Sequence, residues 1–279
     1  MEKISGKIYD FSKQKFIKGT LYFDQKIVKI EEDNSIVDDQ YILPGLIDSH
    51  IHIESSMLTP LEYSKVALRH GVIGAISDPH EIANVCGIDG IDFMIQSANL
   101  TPMKIFTGAP SCVPATPFET SGATISSNDI YTLFVDNKCS HLSEMMNFPG
   151  VLNNDIEVLK KIDIANRFKK KIDGHAPLLL GEQLVKYISA GIKTDHESIS
   201  LEEAKEKIDR GIKILIREST AAHGFDIMHE LISSESDSTM FCTDDCHPYD
   251  LENNYIDDLF RRSINRGHSV ENIIKVSSV

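Results

Sequence analysis

Basic residues are scarce in this chain: 28 Lys and Arg stand against 42 Asp and Glu, a formal charge of −14 at pH 7. Such a field repels polyanions, and no Lys/Arg block with interleaved aromatics offsets it. No nucleic-acid partner is therefore expected, and a neutral or cationic small substrate fits better. Long apolar runs are absent as well; nothing approaches the length that crosses a bilayer, which argues against a membrane partner. The N-terminus, Met1 to Gly6, has none of the basic start, apolar middle and small-residue cleavage site of a secretory signal, so a cytoplasmic location is expected by default. Cysteines number five, Cys86, Cys112, Cys139, Cys242 and Cys246. They form no C-x-x-C pair and no regular framework, as suits free thiols in a reducing compartment. No G-x-G-x-x-G follows an apolar stretch, so a dinucleotide-binding sheet has no support.

What is present is the composition of a globular protein, 41% hydrophobic and 25% charged over 279 residues, enough for one large α/β domain or two ordinary ones. Residues 1–43 alternate short apolar stretches with turn residues. They read as three short antiparallel strands, at Lys7 to Phe11, Phe16 to Phe23 and Lys26 to Glu31, forming a small N-terminal β-sheet subdomain. Over residues 44–279 the pattern becomes strand then helix, repeated. Apolar strand candidates fall at 46–52, 72–78, 103–107, 139–145, 171–175, 191–196, 212–217 and 239–244. Helix starts are marked by Thr59-Pro60, by Ser126 ahead of Asp129 and by a capping box at Ser200 and Glu203, and stops by Gly71, Gly191, Gly211 and Gly267. Eight such units predict a (β/α)8 TIM-like barrel rather than an open doubly wound sheet.

A barrel of this kind carries its chemistry at the C-terminal ends of its strands. The first end contains His50 and His52, one residue apart on a strand, where period-two geometry brings both imidazoles to one side and lets them share an ion. Alone, the pair also reads as two satisfied strand histidines. The other ends supply Asp78 to Glu81, Ser143 to Asn147, Asp173 to His175, Asp195 to Glu197, Arg217 with Glu218, and Thr243 to Asp245. His50, His52 and Asp244 make one mixed nitrogen and oxygen set, and Glu144, His175 and His196 a second beside it. Two sets suggest two ions, Mn, Fe or Zn rather than copper given the carboxylates. A carboxylate such as Glu144 can bridge them, and a water held between the ions loses its proton near neutral pH and becomes the nucleophile. Asp244 can accept that proton and return it to the leaving group.

Each residue also has a plain reading: His175 and His196 as core histidines, Glu144 and Asp244 as helix caps. Joint occurrence on the strand ends favours the metal reading. Asp48 is either a partner behind the ligands or a polar strand residue, and Asp245 reads as a loop residue or cap. Cys242 and Cys246 lack the basic neighbours that would activate a thiol. Glu81, Arg217 and Glu218 sit where they can bond a substrate edge, although surface ion pairs explain them about as well.

These strand-end signatures resemble those of the amidohydrolase superfamily, and the wording of the loops resembles the adenine deaminase family. The similarity runs from about Leu43 to the last residue. It is carried by PGLIDSHIHIESSMLTP at 44–60, DPHEIAN at 78–84, PSCVPATPFET at 110–120, SEMMNFPG at 143–150, DGHAP at 173–177, DHE at 195–197 and CTDD at 242–245. The resemblance implies a barrel with two divalent metals, usually manganese or iron, and hydrolytic deamination of adenine, a purine base, to hypoxanthine and ammonia. It assigns His50, His52 and Asp244 to one ion, His175 and His196 to the other and Glu144 to the bridge, with Asp244, Glu144 and His196 as the catalytic residues. The alternatives are an amidohydrolase acting on another small cyclic amide or amine, and a truncated metal-binding remnant without activity. Such enzymes continue beyond the barrel into a region that completes the N-terminal sheet. Leu21, Phe23, Ile27 and Ile30 are therefore expected to lack cover, and the sheet to pack against a second copy or a separately encoded C-terminal segment.

Overall fold

The computed structural model describes residues 1–116 and 118–278; Pro117, inside the 110–120 motif, and Val279 lie outside the described residues. The N-terminal segment forms β1 (Glu2–Asp10), β2 (Lys15–Phe23), β3 (Ile27–Glu32) and β4 (Tyr41–Ile42), in the order β3-β2-β1-β4. The first three pair antiparallel, and β4 adds in parallel to β1. Ile8 and Tyr9 are buried, as is Leu21, at 8% exposure, contrary to the expectation that it lacks cover. Phe23 is half-buried. On β3, Ile27 and Ile30 stay open at 64% and 39%, with Val28 beside them at 59%. A strand with no neighbour on its outer edge and no sheet over its face has nothing to bury these side chains against.

Eight further strands follow, β5 (Leu46–Ile51), β6 (Val72–Ser77), β7 (Lys104–Thr107), β8 (Leu142–Met145), β9 (Ile172–Gly174), β10 (Thr194–Asp195), β11 (Lys213–Arg217) and β12 (Thr239–Cys242). All their pairings are parallel, in the groups β5-β6-β7, β8-β9 and β10-β11-β12. Backbone hydrogen bonds continue between groups. The Ala109 amide donates to His141 O (2.8 Å), Lys193 N to Ile172 O (3.1 Å), and Asp244 N to His50 O (2.9 Å), the last joining the end of β12 back to β5. This is a TIM-barrel-like α/β fold, with helices between consecutive strands.

Local signals explain where those helices begin and end. The Thr59 hydroxyl accepts from Glu62 N (3.4 Å) ahead of the helix Pro60–Arg69, and Ser126 and Asp129 form a reciprocal capping box on Ser127–Val135. The box expected at Ser200 is half formed. Its hydroxyl accepts from Glu203 N (3.1 Å), but the Glu203 carboxylate turns to Leu178 N, Ile199 N and the ammonium of Lys207. A buried cation outcompetes a terminal amide for that carboxylate. Gly71, Gly191, Gly211 and Gly267 all adopt positive φ, between 74° and 113°, where a side chain would be strained. Tyr63, Tyr187, Tyr255, Phe225 and Phe241 are fully buried in the layer between strands and helices. No helix among the described residues is long and apolar enough to cross a membrane.

All five cysteines are unpaired, Cys86 exposed and the other four buried. Burial pushes the Cys139 thiol up to about 12 and those of Cys242 and Cys246 well above the ordinary range, which leaves them as packing residues. Ellman's reagent should therefore titrate one fast thiol in the native chain and all five after denaturation, with Cys86→Ser abolishing the fast phase. Rapid labelling of a second thiol in the folded Cys86→Ser protein would contradict this burial.

Candidate metal centre

The cluster begins on β5, whose last residues carry His50 and His52 to the C-terminal rim. Both rings are buried and fixed from behind: His50 Nδ1 donates to Asp173 Oδ2 (2.7 Å) and His52 Nδ1 to the Asp78 carbonyl (3.0 Å). With the protons on Nδ1, each neutral ring presents a lone pair at Nε2, and the two Nε2 atoms lie 3.2 Å apart. Two ring nitrogens that close call for positive charge between them, a shared proton or a metal cation.

Carboxylates complete the surroundings. Asp244 Oδ1 lies 3.0 Å from His52 Nε2 and 3.5 Å from His50 Nε2. Glu144 reaches both halves of the cluster. Its Oε1 is 3.2 Å from His52 Nε2, and its Oε2 is 2.6 Å from His175 Nδ1 and 3.4 Å from His196 Nε2. His196 stacks on His50 with centroids 4.2 Å apart, and neither of its buried ring nitrogens has a hydrogen-bond partner. An unpartnered imidazole beside a carboxylate has the donor chemistry of a metal ligand.

The electrostatics point the same way. Burial alone would lower the His50 and His52 pKa, yet Asp173 and Asp244 around the first, and Glu81, Asp244 and Glu144 around the second, hold both well above the ordinary value. Burial would raise Glu144, but the imidazoles of His175, His196 and His52 around it hold it well below; Asp244 is likewise held low by His50 and His52 against burial. Asp173, opposed by burial but facing His50, falls to about 2. The site is thus a buried anionic pocket that stabilises positive charge at its centre. Grouped by their donor atoms, His50, His196 and Asp244 can hold an ion, as can Glu144, His175 and His196, and His52 with Asp78, His80 and Glu144. Mixed imidazole and carboxylate sets fit divalent metal ions.

All six residues expected as ligands, His50, His52, Glu144, His175, His196 and Asp244, are thus brought together. Of the three residues considered for substrate contact, Glu81 lies at the rim, with Oε2 3.5 Å from His52 Nδ1 and without a hydrogen-bond partner. Arg217 donates to Asp244 Oδ2 (3.0 Å) and holds Glu197 bidentately. Glu218 turns away, its carboxylate accepting from Arg262 (2.6 Å) and Phe225 N (3.0 Å), because that cation and helix start lie behind the strand end. Asp48 accepts from Thr243 N (3.1 Å) and Tyr255 OH (2.9 Å) and touches no imidazole side chain, so it ties β5 to β12 rather than orienting a ligand. Asp245 is exposed and accepts from Ser55. The sequence reading did not single out His80, whose Nδ1 lies 3.4 Å from Glu144 Oε1 and 3.2 Å from Asp78 Oδ2, nor the roles of Asp173 and Glu197. A signal existed in each case, since all three lie within the strand-end motifs.

Comparison with known proteins adds three findings. The amidohydrolase family model matches residues 41–278. A protein named adenine deaminase from Sulfurovum sp. (strain NBC37-1) is 49% identical over 91% of this chain and 48% of its own length, and another from Methanosarcina barkeri is 46% identical over 100% of this chain and 51% of its own. The chain therefore spans about half the length of the curated relatives it matches. Among solved structures, N-acetyl-D-glucosamine-6-phosphate deacetylase from Mycobacterium smegmatis superposes with a TM-score of 0.68 at 12% identity, over 99% of this chain and 88% of the other. That likeness bears on the fold alone.

Asp173 supplies the one carboxylate on His50 Nδ1, so Asp173→Asn should free the ring to flip or change tautomer and weaken divalent-ion binding by about 10- to 100-fold. Metal content after dialysis at graded free Mn²⁺ measures this. An unchanged isotherm would remove Asp173 from the site.

Proposed function

Because the chain belongs to the amidohydrolase family, we propose that it is a metal-dependent deaminase that converts adenine and water to hypoxanthine and ammonia. The observation that carries this reading is its likeness, over nearly its whole length, to the Sulfurovum and Methanosarcina adenine deaminases. In this reading His50, His52 and Asp244 would hold one divalent ion, His175 and His196 the other, and Glu144 would serve both, with Mn or Fe as the metal and Zn as an alternative. The ions would supply Lewis acidity, lowering the pKa of a water and polarising the purine.

The chain's own residues do the rest. Asp244 is the proton carrier, taking the proton of the attacking water and handing it to the departing amine as the C6–N bond breaks. Arg217 fixes the Asp244 carboxylate through Oδ2 and leaves Oδ1 turned toward the histidines. Glu81, with a free oxygen at the rim, is suited to accept an N–H of the purine edge. The burial of Glu144, His196 and Asp244 excludes bulk water from the reacting centre. The (β/α)8 barrel of residues 44–279 is supported by the hydrogen bonds that run between strand groups and from β12 back to β5. Unpaired cysteines support a cytoplasmic site of action.

Protein loaded with Mn or Fe should release ammonia from adenine and leave hypoxanthine. Turnover of cyclic amides with none of adenine would favour the wider amidohydrolase reading, and bound metal with neither activity would favour a non-catalytic remnant. Asp244→Asn keeps the shape but removes the base, so turnover should fall by at least ~100-fold; full activity in that variant would sink the assignment.

The sheet of residues 1–43 is proposed as a small subdomain, half of a composite β-sandwich, whose open β3 face meets a second copy or a C-terminal segment. Light scattering with limited proteolysis tests this. The expected result is self-association or early cleavage within residues 1–43, and a monomer with that segment protected would refute it.

A further inference from the structure

The four histidines expected as ligands are not held alike. His50 and His52 each have a hydrogen-bond acceptor behind Nδ1, whereas His196 has none and His175 turns its Nδ1 toward Glu144 itself. What fixes His175 and His196 must therefore act through their backbones. Both stand at the start of short loops, after β9 and β10, and both loops meet at one buried ammonium.

That ammonium belongs to Lys207, on the helix Leu201–Asp209, whose side chain is wholly buried. Its Nζ donates to Ala176 O (2.8 Å), Asp195 Oδ2 (2.9 Å), Glu203 Oε1 (2.7 Å) and Ser198 Oγ (3.2 Å). Asp195 Oδ1 accepts from Ala176 N (2.9 Å), and Glu203 accepts from Leu178 N (2.8 Å) and Ile199 N (3.2 Å). One cation and two carboxylates thus hold residues 176–178, next to His175, against residues 195–199, which contain His196.

We propose that Lys207 is the positioning residue that keeps His175 and His196 in register with Glu144, and so sets the affinity of the second metal site without touching it. The inference rests on the two-ion reading above but not on the identity of the substrate. A buried charge inside a polar cage holds several backbone segments in one arrangement, which an apolar filler cannot do, because each remaining partner would be left unpaired. The half-formed capping box at Ser200 fits this role, since Glu203 is drawn away from the helix start to serve the cage.

The test is the Mn²⁺ binding isotherm and metal content of the 279-residue chain, its Lys207→Met variant, and a stability control, Ile130→Ala, in a buried position on the helix Ser127–Val135. Electron paramagnetic resonance distinguishes a coupled Mn pair from a lone ion. Wild type and Ile130→Ala should each hold two ions. Lys207→Met should bind the second at least ~10-fold more weakly and show a lone-ion spectrum at intermediate Mn²⁺, while the first site keeps its affinity. Two ions at unchanged affinity in Lys207→Met overturns the proposal, as does equal loss in the control. A wild-type chain that holds no pair overturns the two-ion reading and this inference with it. If Lys207→Met does not fold, the charge-balanced Lys207→Met/Glu203→Gln replaces it with the same expectations.

Discussion

Two imidazole Nε2 atoms 3.2 Å apart, with carboxylates on either side, are the constraint around which this molecule is arranged. Without positive charge at its centre that geometry is unfavourable, because buried Glu144, Asp173 and Asp244 concentrate negative charge in a region of low dielectric. It persists because the strands fix it. β5 delivers both rings to one place, Asp173 and the Asp78 carbonyl fix their tautomers from two other strand ends, and the backbone bonds between Asp244 and residues 50 and 52 hold β12 against β5. Positive charge on or between the rings offsets those carboxylates, and a divalent cation would supply it. The fold therefore prepares the cluster for a cation.

Support for that arrangement extends outward in layers. Asp48, one turn of the pleat below His50, accepts from Thr243 and Tyr255, and Tyr255 in turn meets Tyr63, so a polar chain runs from the strand into the helical layer under the β5–β12 junction. Burial pushes Asp48 up to about 6 despite those donors. On the opposite side, Tyr187 bridges the Met145 carbonyl and the His175 amide, both at 3.0 Å, and so ties the ends of β8 and β9. Gly174 is required beside it, because a Cβ there would sit 2.2 Å from the Thr194 carbonyl. Each half of the cluster thus has its own scaffold, Asp48 with the tyrosine pair on one side and Tyr187 with the Lys207 cage on the other.

Much of this was legible in the sequence, for a physical reason. Parallel strands buried on both faces read as short apolar runs, and the eight observed strands fall within or beside the eight stretches read from the pattern. The clustered histidines and carboxylates were legible because a metal site would need such side chains, and residue type is what a sequence states outright. The misreadings came where a side chain has a choice of partner. Glu218 stands at a strand end yet answers to Arg262, Leu21 is buried although its sheet was expected to lie open, and Glu203 abandons the cap for a lysine distant by one helical turn. Spacing reveals which face a residue occupies, but not which of two neighbours wins it.

Lys207 shows why the supporting shell is the hardest part to read. A lysine in an amphipathic helix beside Glu203 and Glu206 has the pattern of an exposed i,i+4 pair, and most such lysines are solvated. Nothing local marks this one as wholly buried. Its partners, Ala176, Asp195 and Ser198, come from two other loops and converge on it only after the parallel strands have aligned. Removing an ammonium from water is costly unless several acceptors replace the solvent, and here four do. Such a cage constrains the backbone beside each acceptor, and two of those backbones carry the only cluster histidines without a bond behind the ring. The cluster histidines least restrained by their own hydrogen bonds are thus the ones whose loops are tied together from beneath.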